Sequence, residues 1–193
     1  MIIKRSGSRK ATPFLSDVKE LRRRARASME NGAVTSGYGL DPNAAIEVLQ
    51  SALATEIVCV LRYTAHAVSA VGINSSEVKA EFEQHAKDES EHMNQIAARI
   101  NELGGTPNMN PEGLLTRSHA QYTAPAELVE MIKENLVAER IAVESYTEMI
   151  RFFGDRDPTT RIMLEDILAK EEEHASDMHD LLVAREGSPM LPG

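Results

Sequence analysis

The chain has 193 residues, a formal net charge of −9, 4% aromatic residues, no tryptophan and a single cysteine, Cys59. That length suits one domain with a sizeable core, and scarce aromatics beside plentiful Ala, Leu, Ile, Met, Glu and Lys favour an all-helical fold. One cysteine excludes an intramolecular disulfide framework and a CxxC metal knuckle.

The N-terminus carries its own charge. Residues 1–26 hold nine Lys/Arg against Asp17 and Glu20, a net of +7, so the other 167 residues carry −16. A basic arm on an acidic body points to two electrostatic tasks. This arm lacks the apolar stretch of a secretory signal, so a cytoplasmic protein is expected. No uninterrupted run of 18 apolar residues occurs, so no membrane span is expected.

Residues 1–13 read as disordered. Leu15, Val18, Leu21, Ala25 and Met29 then recur at helical spacing, which predicts a short amphipathic helix over about 16–31, closed by Gly32. Gly37-Tyr38-Gly39 is a connector. Asp41-Pro42 is an N-cap with proline at the first helical position, and the first long helix is predicted to reach Val71. The second is predicted from Ser75 to Gly104-Gly105, the third from Ala124-Pro125 to Gly154. Asp157-Pro158 repeats the Asp-Pro start for the fourth, which ends near Glu186 before Gly187 and Pro189. The division expected is a basic extension over 1–40, a bundle over 41–186 and a tail over 187–193. Short links join helices one to two and three to four, whereas about 20 residues separate two from three. That is a bundle of two antiparallel hairpins with one long crossover; Asn110-Pro111-Glu112 followed by Gly-Leu-Leu is expected to start a short helix within it.

Upon this frame lies a tandem repeat. Glu56 precedes Glu89-Ser90-Glu91-His92 by 33 positions, and Glu139 precedes Glu171-Glu172-Glu173-His174 by 32. The helical neighbours of each glutamate are largely apolar: Leu49, Leu53 and Val60 for Glu56; Phe82 and Ile96 for Glu89; Ile132 and Val143 for Glu139; Leu164, Ile167 and Met178 for Glu171. All four therefore sit on core-facing stripes. Four carboxylates in one core are intolerable without cations. Two divalent metals resolve the conflict, and four carboxylates match the four charges of two Fe²⁺. Hard oxygen ligands with two imidazoles suit iron or manganese better than calcium or structural zinc. A glutamate from each of two helices plus Glu-x-x-His from each of the other two is a known dimetal ligand set. The plainer alternative is that Glu-x-x-His arises by chance on surface helices, as Glu91, Glu130, Glu144, Glu148, Glu172 and Glu173 are expected to. A second copy at near-identical spacing argues against it.

Tyr63 and Tyr146 lie seven residues after Glu56 and Glu139, where a phenol hydrogen-bonds a carboxylate, donates an electron or fills the core. His85 reads as an auxiliary ligand, a gate or a hydrogen-bonded core histidine; Asp88 as an iron relay beside the motif. Cys59 reads as a small core residue or a neighbour of the centre. His66, His119 and His179 carry no signal that separates them from surface.

Over residues 41–186 the chain resembles the ferritin-like superfamily, specifically bacterioferritins and Dps-like proteins with a bacterioferritin-type centre. The stretches Leu53-Ala54-Thr55-Glu56, Asp88-Glu89-Ser90-Glu91-His92, Ala138-Glu139-Arg140, Glu171-Glu172-Glu173-His174 and Leu103-Gly104-Gly105-Thr106-Pro107-Asn108 carry the likeness. It implies a ferritin-like four-helix bundle in which Glu89 and Glu171 bridge two irons, with Glu56/His92 and Glu139/His174 as terminal pairs. It also implies a tyrosine at Tyr63. Manganese or zinc could occupy the same ligands in vitro. Where bacterioferritins present a haem-binding methionine this chain has Ser90, so haem is not expected, and Met93 reads as core. Only 19 residues follow His174, too few for the fifth helix of 24-subunit cages. A dodecameric homo-oligomer is favoured. The implied activity is ferroxidase: oxidation of Fe(II) by O₂ or H₂O₂, with iron storage and detoxification. The alternatives are a discrete di-iron or di-manganese catalase, peroxidase or oxygenase, and a DNA-protecting protein whose basic N-terminus contacts phosphates without sequence preference.

Overall fold

The computed structural model of the chain describes residues 16–72 and 75–186. The predicted disorder of 1–13 and the tail 187–193 fall outside the described residues. Those described form α1 (Val18–Ala27), α2 (Pro42–Ser69), α3 (Ser75–Glu102), α4 (Leu114–Arg117), α5 (Leu128–Phe153) and α6 (Pro158–Glu186), with no strand among them.

Both Asp-Pro starts cap as read from the sequence. Asp41 accepts from the Asn43 N–H at 3.1 Å, and Asp157 accepts from the Thr160 N–H at 3.0 Å, satisfying donors that a helix start leaves orphaned. Asp157 also receives the buried Arg99 guanidinium at 3.0 Å and the Tyr38 hydroxyl at 2.8 Å, so it ties the connector and α3 to the start of α6. Just past this end of α3, Gly104 adopts φ +88°. A Cβ on Gly105 would meet side-chain atoms of Ile100 and Ile46 at 3.0 Å, so that turn packs directly on α2.

Two boundaries differ from expectation. The first helix ends at Ala27, and Met29–Asn31 form a separate 3₁₀ turn. No residue of α1 is buried, so no tertiary packing extends a helix that is short by itself. The third long helix starts at Leu128 rather than Ala124-Pro125. The chain before it stays non-helical because side chains of α2 take up its carbonyls: Arg62 donates to Gln121 O at 3.2 Å, and His66 Nε2 lies 2.9 Å from Thr123 O. The helix in the crossover is a single turn, α4.

The helices pack most extensively as the hairpins α2–α3 and α5–α6, which meet along α3–α6 and α2–α5. α2 is long and apolar enough to cross a membrane, with a mean hydropathy of 1.7 over 18 residues, although no uninterrupted apolar run of that length occurs in it. Half of that window is buried within the protein. The helix also turns Glu56, Arg62 and His66 inward, and its central place in the bundle accounts for its apolarity.

The core is divided. Leu49, Leu53, Ile96, Ile100, Phe153 and Ile167 belong to one apolar half, and Tyr63, Phe82, Met131, Ile132 and Met178 to the other. On every long helix a glutamate falls between the two. The crossover covers α2 from outside, where Leu114 and Ala120 pack on Ala54, Val58 and Cys59.

Candidate metal centre

The layer between the apolar halves contains Glu56 from α2, Glu89 and His92 from α3, Glu139 from α5, and Glu171 and His174 from α6. Each carboxylate is 1% exposed, so solvent cannot screen their mutual repulsion. His92 Nδ1 lies 3.0 Å from Glu171 Oε1, 3.1 Å from Glu89 Oε2 and 3.6 Å from Glu56 Oε2. His174 Nδ1 lies 3.4 Å from Glu89 Oε1, 3.8 Å from Glu171 Oε2 and 4.0 Å from Glu139 Oε2. Glu89 and Glu171 thus turn one oxygen to each imidazole, whereas Glu56 faces only His92 and Glu139 only His174. The ligand atoms form two sets, Glu56/Glu89/His92/Glu171 and Glu89/Glu139/Glu171/His174, that share Glu89 and Glu171.

The donor set fits cations. Glu56 Oε2, Glu89 Oε1, Glu171 Oε1 and His174 Nδ1 are buried with no hydrogen-bond partner. Such groups are costly unless a proton or metal meets them. The titration behaviour shows the same tension. Burial, then the Glu89 charge, pushes the Glu56 carboxyl up to about 8. The same two causes raise Glu139 and carry Glu171 well above the carboxylate range. Burial also opposes ionisation of Glu89, but the neighbouring His174 and His92 imidazoles outweigh it and hold this acid below its ordinary value. Both imidazoles lose by burial and gain more from the surrounding carboxylates, so both are raised.

The two tyrosines cross over. Tyr63 on α2 donates to Glu139, the glutamate of the other hairpin, and Tyr146 on α5 donates to Glu56. Each phenol anchors the outer carboxylate of the opposite half, a role the sequence spacing left open. His174 Nε2 lies 3.3 Å from Asp88 Oδ2, a carboxylate–imidazole contact of the kind that orients metal-binding histidines. A cleft of about 180 Å³ lined by Asp88, Glu91, His92, Asp166 and Lys170 leads inward on the α3–α6 side.

Three further buried residues were not singled out by spacing. Arg62 donates to Asn135 Oδ1 at 2.9 Å, and Asn135 Nδ2 lies 3.1 Å from His66 Nδ1. His66 is fully buried, unlike His119 and His179, which are exposed. All three lie on core-facing stripes, so periodicity alone could have flagged them. Cys59 is buried beside the crossover, and burial raises its thiol well above its ordinary value.

Known proteins share this architecture. A DNA protection during starvation protein of Pyrococcus furiosus is 29% identical over 80% of this chain and 85% of its own length. The bacterioferritin of Desulfovibrio desulfuricans is 29% identical over 67% and 69%. Among solved structures, the dodecameric thioferritin described as the bacterioferritin-related protein of Bacteroides fragilis superposes with a TM-score of 0.73 at 34% identity, covering 80% of this chain and 94% of that one. The all-α four-helix bundle expected from sequence is the one these relatives share. Residues 46–186 match the family described as the ferritin-like domain, and the chain belongs to that family.

Proposed function

We propose that this protein oxidises Fe(II) at a paired site, with O₂ or H₂O₂ as oxidant, and stores the product iron inside a homo-oligomeric cage. The observation that carries the reading is the pair of four-residue sets sharing Glu89 and Glu171, together with the buried unpartnered atoms that face inward. Glu89 and Glu171 bridge, Glu56 with His92 and Glu139 with His174 complete each half, and Tyr63 and Tyr146 hold the outer carboxylates. Two Fe(II) substrates side by side supply the two electrons that reduce O₂ to H₂O₂, or H₂O₂ to water. The acidic body concentrates Fe²⁺, and the cleft at Asp88 and His92 offers a way in. Assembly accords with Leu61, Val68, Val137 and Ile141, which the single chain leaves exposed on α2 and α5. The dodecameric Bacteroides fragilis protein makes twelve subunits the favoured size.

Fe(II) added in air to the full-length protein, followed by size exclusion with protein and iron recorded together, tests this. Iron on the order of hundreds of atoms co-eluting with a dodecamer-sized species is the expected result. Uptake that stops at roughly two irons per chain, without mineral, sinks storage and leaves a discrete dimetal oxidoreductase.

A second reading has its own observation. α1 exposes Arg22, Arg23 and Arg26 and buries nothing, and the Pyrococcus furiosus relative is named for DNA protection. On this reading the N-terminus also binds duplex DNA through phosphates. Deleting residues 1–26 should then make the slope of log affinity against log salt shallower by about 0.9 for each phosphate that this segment neutralises; an unchanged slope rejects it.

A further inference from the structure

His85 belongs to neither four-residue set of the paired centre, yet one of its ring nitrogens lies near ligand atoms of Glu139 and His174. His85, on α3 one turn before Glu89, is 1% exposed and stacks on His174 with ring centroids 3.8 Å apart. Its Nδ1 lies 3.1 Å from the Tyr63 hydroxyl. That hydroxyl has one proton, which it donates to Glu139, so the Tyr63 oxygen accepts from His85 Nδ1–H. The tautomer follows: Nε2 presents a lone pair. Yet Nε2 faces Glu81 Oε1 at 3.3 Å and Asp177 Oδ2 at 3.5 Å, and it is buried with no hydrogen-bond partner. A lone pair directed at two carboxylates is repulsive, and a cation among the three removes the repulsion.

The fold itself does not demand this trio. The two hairpins are related residue by residue through their ligand motifs. The position four before Glu171, which corresponds to His85, is Ile167, and it lies buried in an apolar cluster. Glu81 and Asp177 correspond in the same way to Met163 and Gln95. One half packs ordinary side chains where the other collects an imidazole and two carboxylates.

We propose that Glu81, His85 and Asp177 form a third divalent-cation site, on the solvent side of the paired centre, that takes Fe(II), Mn(II) or Zn(II). Their ligand atoms lie within 4.8 Å of one another, and one nitrogen with two carboxylate oxygens suits these ions. A cleft of about 220 Å³ lined by Glu77, Glu81, Asp177 and Asp180 opens the site to solvent. Burial and the neighbouring Asp177 raise the Glu81 carboxyl above its ordinary value, as two carboxylates that crowd one another do. A cation on Nε2 strengthens Nδ1–H as a donor to Tyr63, and Tyr63 in turn holds Glu139. The third site is therefore coupled to the pair. That coupling rests on the paired-centre reading, whereas the site rests only on its own three side chains.

Equilibrium dialysis of the full-length protein against Zn²⁺ tests it, with bound metal counted per chain. Three Zn²⁺ are expected for wild type, two for the double variant E81Q/D177N and one for E89Q/E171Q. Glu81 and Asp177 are partly exposed and their replacements isosteric, so folding is preserved; H85I, which installs the residue found at the related position, is a second variant expected to bind two. Equal counts in wild type, E81Q/D177N and H85I overturn the third site and leave the pair standing. A loss of one in E81Q/D177N with no loss in E89Q/E171Q keeps the third site and overturns the paired centre instead.

Discussion

Glu171→Gln is expected to lower Fe(II) oxidation by more than about 100-fold and, in cation-free protein at pH 8, to raise the melting temperature. The two effects have one origin. Glu171 turns one oxygen toward His92 and the other toward His174, so its loss damages both halves. Even the outer partners of metal ligands typically cost 10–100-fold, and a shared ligand costs more. The stability gain comes from burial and the Glu89 charge, which carry the Glu171 acid well above its ordinary range. The folded, cation-free protein must then hold this group protonated at a pH where the unfolded chain ionises it. Glutamine mimics the neutral acid without that cost. Each kcal/mol so recovered corresponds to roughly 2–4 °C in a chain of this size. Oxygen uptake and calorimetry on the same preparation check both halves, and a wild-type oxidation rate would remove Glu171 from the centre.

The second large effect is the response of cation-free protein to pH. Glu56, Glu139 and Glu171 have folded values above the ordinary 4.5. Their stabilisation is fully present below about 4.5 and is lost as pH rises through the folded values, about 8 for Glu56. His92 and His174 are also raised, so their contribution holds below 6.5 and is lost at higher pH. Glu89 is lowered and acts oppositely: its contribution is present above 4.5 and lost on acidification. Between pH 5 and pH 8 the Glu89 contribution is already complete and constant while the five raised groups lose theirs, so the melting temperature should fall over that range. Zn²⁺ should reverse the fall and release protons on binding. At 100 times the dissociation constant each site adds about 2.7 kcal/mol, so a pair adds roughly 10–20 °C. A melting temperature that neither falls with pH nor rises with Zn²⁺ would sink the account of a proton-neutralised carboxylate cluster.

Much of the frame was legible in the residues alone. The Asp-Pro starts at Asp41 and Asp157 are local chemistry: a side-chain acceptor beside a residue with fixed φ. Inward facing of the four glutamates follows from a 3.6-residue period on apolar stripes. Two positions resisted for the same reason. Whether the stripe of α1 docks, and where α5 starts, depends on groups distant in sequence. Val18, Leu21 and Met29 find no cover among the described residues, and the carbonyls of Gln121 and Thr123 meet Arg62 and His66 of another helix.

The centre divides along the same line. By itself, the sequence determined that two carboxylate–imidazole motifs lie on core faces at matching spacing, because spacing is residue number and facing is the period of each single helix. Only the tertiary structure decided the rest, because each feature is a distance between helices. It set which carboxylates face both imidazoles and which face one, and it sent Tyr63 to Glu139 and Tyr146 to Glu56 across the hairpins. It also stacked His85 on His174 and turned its Nε2 toward Glu81 and Asp177, where that nitrogen is buried without a hydrogen-bond partner.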